Sequence, residues 1–238
     1  KMGAPVTDIT AGILGAMAVA AAYAHKLKTG EGQKIDTSLF EAGIVHTYWQ
    51  SAIGLATGVA PGPMGSAHPL NAPYQAFQTE DGWITLGAAN QKNWLRMLEV
   101  IEAPELAEDD RFKENTGRMS HLQELEDLLT PIFLKHTTGD WLNRLEAAGV
   151  PAGPVLNVNE MHQDPHTLAR DMIVDLPHSK LGTVKSIGLP VKFSETPGRV
   201  VSGAPVYGQH TREVLAEYGY EEEKIDELIA KGAVVAAD

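Results

Sequence analysis

Asp8 is the carboxylate whose setting could support chemistry. It stands in Thr7-Asp8-Ile9-Thr10, at the mouth of an apolar run rich in Ala and Gly. A helix N-terminus favours the anionic form of a carboxylate. Beside small residues, such an anion could attack a thioester, form a mixed anhydride and pass to an acyl-enzyme. The same backbone amides could hold developing oxyanion charge. Asp is also among the commonest helix caps, and a cap needs no chemistry. Other reactive groups are scattered. The chain has no cysteine, which excludes disulfides, thiolate catalysis and cysteine-held zinc or iron-sulfur clusters. That absence suits a cytoplasmic setting. Nine histidines form no metal set; His162 and His166 are four apart, but Asp164-Pro165 breaks the helix that would align them. There is no G-x-S-x-G elbow, Walker A loop or G-x-G-x-x-G.

The elements that must position these groups follow from periodicity and punctuation. A helix is expected from the Thr7–Thr10 cap to about Lys28, with Lys26 and Lys28 in its last turn and Gly30 as its stop. Apolar almost all round, it should be buried. Gln33 to Leu39 alternates like a strand, and a second apolar helix should cover Phe40 to Ala56. Thr57 to Asn71, punctuated by Gly58, Pro61, Gly62, Pro63, Gly65 and Pro69, reads as a loop and a domain boundary. Ala72–Phe77 and Trp83–Ala88 form a hairpin around Asp81-Gly82. Helices are expected at 91–101, 119–135 and 140–148, the last capped by Thr138 and stopped by Gly149. Val150 to Val155 is a stiff connector. Short helices near 158–162 and 165–170, strands near 172–176 and 183–187, and helices at 211–218 and 221–230 complete the chain.

Composition bounds the partners. The 238 residues, 43% hydrophobic and 21% charged, are those of a globular chain. A net charge of -12 without a Lys/Arg stripe speaks against nucleic acid and anionic membranes. The uncharged run from Ile9 to His25 is shorter than the ~20 strongly apolar residues of a bilayer span, and its side chains are small.

Several motifs in order resemble family III (CaiB/BaiF-type) CoA-transferases. They are Gly3-x-Pro5-x-x-Asp8-Ile9-x-x-Gly12, Lys28-Thr29-Gly30-x-Gly32-Gln33-x-Ile35-Asp36-x-Ser38-Leu39, and Gly65-Ser66-Ala67-His68-Pro69-x-x-Ala72-Pro73-Tyr74-x-x-Phe77. Leu145 to Val155, Asp164-Pro165 and Gly208-x-His210-Thr211 extend the match nearly end to end. The resemblance implies an α/β fold: part of a Rossmann-like large domain plus a small α+β domain with a short antiparallel sheet. Residues 1–60 would be large-domain, 72–170 small-domain, and 171–238 a return segment. It implies Asp8 as nucleophile in CoA transfer between carboxylic acids, through an aspartyl-CoA thioester. Acyl-CoA would be a substrate, with no tightly bound cofactor or metal and a homodimeric, interlocked assembly.

The resemblance also implies that a glycine-rich loop shields the intermediates. Gly62, Gly65, Ser66 and His68 are its candidates, against the alternative of a plain connector. Racemases of the same family use a Glu where Leu86-Gly87-Ala88-Ala89-Asn90 places Asn90, so Asn90 is a pocket candidate that favours transfer over racemisation. A non-catalytic acyl-CoA-binding or dimerisation piece is the reading from another class. The chain starts just before the nucleophile, whereas family members carry an N-terminal half, so activity of this piece alone is not expected.

Overall fold

The structure, a computed structural model, describes residues 2–237. Contacts divide it into two compact units, 1–155 and 156–238. The break between the units falls after Val155, at the end of the 150–155 segment.

In the first unit, helices α1 (Val6–Thr29), α2 (Leu39–Val45) and α3 (Tyr48–Thr57) come first. A hairpin follows, β1 (Tyr74–Gln78) and β2 (Trp83–Gly87). After it come α4 (Gln91–Val100), a 3-10 turn at Pro104–Ala107, α5 (Asn115–Ser120), α6 (Leu122–Phe133), α7 (Thr138–Ala147) and β3 (Ala152–Pro154). The antiparallel sheet runs β1-β2-β3, with Ala76 opposite Thr85 and Thr85 opposite Gly153. The expected connector is therefore a third strand: Gly149 at φ 68 ends α7 and turns the chain back along β2.

The core of this unit lies between residues 72 and 150. Alternation in β1 and β2 turns Phe77, Ile84 and Leu86 inward. Helical spacing in α6 turns Leu125, Leu129 and Phe133 onto them. Phe77 and Phe133 stack at 4.8 Å, and Trp141 of α7 meets Phe133 edge-on at 5.2 Å. The Trp141 indole donates to the Phe133 carbonyl at 2.7 Å, so the buried N–H is satisfied. Asp81 ties the hairpin turn to α7 by accepting from the Thr138 amide at 2.7 Å, and that bond holds its carboxyl below the usual range. The α7 cap is Thr137, not Thr138.

Three expectations fail in residues 6–57. α1 has no buried residue. Thr7 and Thr10 meet α2 and its C-terminal end, while Ile9, Ile13, Met17, Tyr23 and Leu27 lie open. Its full 24 residues also reach about 36 Å. By length and composition the helix is long and apolar enough to cross a membrane, unlike the shorter uncharged run within it. Gln33 to Ser38 is not a strand: it is exposed and pairs with nothing among the described residues. Period-two patterning sets a pleat, but a strand also needs a neighbour. The expected 40–56 helix is two, broken at His46-Thr47, with Ser38 capping α2 through the Glu41 amide at 3.2 Å.

The second unit holds α8 (Val158–Gln163), α9 (Pro165–Ala169), the hairpin β4 (Ile173–His178) with β5 (Gly182–Ile187), then α10 (Thr211–Glu217) and α11 (Glu222–Ala230). Asp164 caps α9 through the His166 and Thr167 amides, so His162 and His166 sit on separate helices.

Candidate active site

α1 begins one turn earlier than the sequence suggested. Pro5 occupies the cap position and Val6 opens the helix, which puts Asp8 third in the first turn. The cap reading of Asp8 is thereby corrected: its exposed carboxylate accepts from the Thr7 hydroxyl at 3.1 Å and from no backbone amide among the described residues. It still lies in the turn whose unpaired N–H groups favour an anion. α2 packs closely against this end. A Cβ on Gly43 would stand 3.2 Å from the Thr7 methyl, and the Thr10 hydroxyl lies 2.7 Å from His46 Nε2.

The 58–71 loop is not uniform. Gly58 at φ 71 ends α3, and Ala60 to Pro63 make no hydrogen bond among the described residues. From Met64 onward the loop is tied down. Gly65 adopts φ 60, the left-handed conformation that glycine takes without strain. The Ser66 hydroxyl accepts from the Ala76 amide at 3.0 Å, and the His68 amide donates to the Tyr74 carbonyl at 2.9 Å. The His68 ring stacks on Tyr74 at 5.0 Å, with 1° between planes, and meets Trp49 of α3 edge-on at 5.4 Å. Its Nδ1 accepts from the Leu70 amide, which leaves Nε2 to carry the proton of a neutral ring. Ser66 and His68 thus fasten the loop to the sheet edge and to α3.

Asn90 caps α4, its side-chain oxygen accepting from the Asn93 amide at 2.8 Å. It opens onto a cleft of about 710 Å³ with Gln91, Leu95, Lys113, Asn115 and Arg118 among its walls. Arg118 was not singled out from the sequence. It is fully buried, and burial pulls its pKa down to about 10, which leaves it charged at neutral pH. No local pattern marks an arginine for burial; Gly117 beside it is the nearest trace, since a Cβ there would meet the Arg111 carbonyl at 2.5 Å.

The structure brings Ser66 and His68 to β1, with His68 also against Trp49, and Asn90 together with Arg118, while Gly62 and Gly65 join neither group among the described residues. Asp8 has no hydrogen bond, ion pair or ring contact with either group among the described residues.

The chain matches the family model of CoA-transferase family III over residues 1–211. It is 33% identical over 217 residues to a succinate–glutarate CoA-transferase of Agrobacterium fabrum, covering 91% of this chain and 54% of that protein. It is 30% identical over 235 residues to a human succinyl-CoA:glutarate CoA-transferase, covering 98% and 54%. Among solved structures, a CaiB/BaiF family protein from Brucella suis superposes with a TM-score of 0.76 at 32% identity, covering 91% of this chain and 56% of that one. The chain spans about half the length of the curated relatives it matches.

Proposed function

The chain belongs to CoA-transferase family III, and from that premise we propose that Asp8 is the nucleophile that carries coenzyme A from an acyl-CoA donor to a carboxylic acid acceptor. The observation that carries this is the state of Asp8: exposed, in the first turn of α1, and free of capping duty. A carboxylate oxygen of Asp8 attacks the donor thioester carbonyl, and CoA leaves as its thiolate, giving an acyl-aspartyl anhydride. The thiolate attacks the aspartyl carbonyl of that anhydride, and the donor acid departs as a carboxylate. The acceptor carboxylate then attacks the aspartyl-CoA thioester, the thiolate is released again, and its attack on the acceptor acyl group frees both the new acyl-CoA and Asp8. No proton is consumed. The amides of the first turn supply fixed positive potential for each oxyanion.

The 58–71 loop is proposed as the lid over these intermediates. Asn90 supports transfer over racemisation, because an amide committed to capping α4 carries no titratable proton. We propose acyl groups of dicarboxylic acids as the first substrates to try, since relatives are named for succinyl-CoA with glutarate or with mesaconate. We also propose a cytoplasmic homodimer without nucleic-acid or membrane partners, in which residues 1–60 and 171–238 serve the large domain and 72–170 the small one.

Mass spectrometry of the intact enzyme mixed with succinyl-CoA should find CoA on the Asp8 peptide. Turnover retained by Asp8→Asn would sink the assignment. Uptake of deuterium at the α-carbon of a 2-methylacyl-CoA would favour the racemase reading instead.

A further inference from the structure

We propose that Asn115 and Arg118 are positioning residues that latch the C-terminal arm of the 58–71 loop, so that closure over the site is confined to its 60–63 arc. This rests on the reading of that loop as the lid over an Asp8-bound intermediate.

The latch is built from side chains that imitate main chain. Asn115 donates from Nδ2 to the Leu70 carbonyl at 2.8 Å and accepts from the Ala72 amide at 3.1 Å, so one amide group brackets Asn71 as a paired strand would. Arg118 Nε donates to the Ala72 carbonyl at 2.6 Å. Its Nη1 reaches the Phe112 carbonyl at 2.9 Å, the Lys113 carbonyl at 3.3 Å and Gln91 Oε1 at 3.2 Å. Gln91 completes the ring by donating to the Lys113 carbonyl at 2.8 Å. The guanidinium lies 4.8 Å over the Trp94 ring.

Arg118 has no carboxylate partner among the described residues, which is a costly way to bury a charge. A rigid fork of donors is what can hold Ala72, the 112–113 turn and the first turn of α4 at one point; a lysine ammonium cannot span them. The two clamps converge on residues 70–72, at the C-terminal end of the loop. The other arm has nothing comparable. Ala60 to Pro63 make no hydrogen bond among the described residues, and a Cβ on Gly62 would meet open space. Closure of a loop over a site needs a segment free to move on a fixed frame. The fixed end is also where Asn90 caps α4, so the latch registers the lid against the Asn90 cleft.

Asn115 is partly exposed, so Asn115→Ala should fold; Arg118→Lys, at a buried site, is the sharper variant where it folds. In the intact enzyme, Asn115→Ala should speed hydrogen exchange across 66–77 by roughly five- to a hundredfold, the factor set by two lost hydrogen bonds. The share of acyl-CoA lost to hydrolysis rather than transfer should rise. A purely structural residue would not move that partition. Unchanged exchange, or faster exchange with an unchanged partition, overturns the latch. Asp8→Asn run alongside keeps the two ideas apart: turnover by that variant would remove the intermediate, while the exchange measurement would still read the latch.

Discussion

Residues 72–155 and residues 6–57 share one compact unit and are both rich in apolar side chains, yet only the first stretch has an interior. Between Ala72 and Val150, eighteen buried hydrophobic residues form one cluster, whereas α1, α2 and α3 together bury Ala42 alone. The contrast is not one of composition. α6 is amphipathic and finds the inward face of β1, so Leu125, Leu129 and Phe133 lose contact with water. α1 is apolar almost all round and packs chiefly on α2, on one side. Apolar content makes an element sticky; a complementary surface makes a core. The candidate nucleophile belongs to the stretch without a core, and the loop proposed as its lid is anchored on the stretch that has one.

The contrast can be broken in several ways. Asp8→Asn should reduce CoA transfer in the intact enzyme by on the order of 10³-fold or more, as loss of a nucleophile does. Because Asp8 makes no cap hydrogen bond, stability should fall by no more than the ~0.3–1 kcal/mol that an anion in the first turn contributes; a loss near ~2 kcal/mol, the upper end for a cap, would restore the structural reading. In the cored stretch, Trp141→Ala should cost about 3–5 kcal/mol in chemical denaturation. Ile13→Ala or Met17→Ala on the open face of α1 should stay within about 0.5 kcal/mol in this chain. An Ile13→Ala cost as large as that of Trp141→Ala would erase the distinction.

Smaller changes sharpen it. Trp141→Phe keeps most of the packing but leaves the Phe133 carbonyl without its donor, so about 1–3 kcal/mol should go. The acid limb of unfolding tests the rim of the core. Hydrogen bonds from the Arg111 side chain and backbone hold Asp109 down from 3.8 to about 2. A depressed carboxylate stabilises the fold fully above its unfolded value and ceases to as pH falls through its folded one. Asp109→Asn should therefore flatten the stability profile between pH 3.8 and about 2, and an unchanged slope there would mean that the pair contributes nothing.

Much of the molecule was legible because the relevant forces act over a few residues. Asp81-Gly82 between apolar runs specified the hairpin, Gly149 stopped α7, Gly30 at φ 80 stopped α1, and Asp164-Pro165 separated His162 from His166. The ordered motifs from Gly3 to Thr211 pointed to the family that the comparisons show. Other features were invisible for a shared reason. The 33–38 segment had the right period and no partner. The 40–56 run had the right apolarity and a break at His46-Thr47. Arg118 looked like any surface cation until Ala72, Gln91 and the 112–113 turn closed around it.

By itself, then, the sequence determined the hairpin turn, the glycine stops of α1 and α7, the alternation of β1 and β2, and the family. Only the tertiary structure decided which apolar faces are covered, which extended segment becomes a strand, and which cation is buried. Local rules depend on backbone sterics and on neighbours three or four positions away. Burial and pairing depend on surfaces brought together from distant parts of the chain, and no short window of residues contains them.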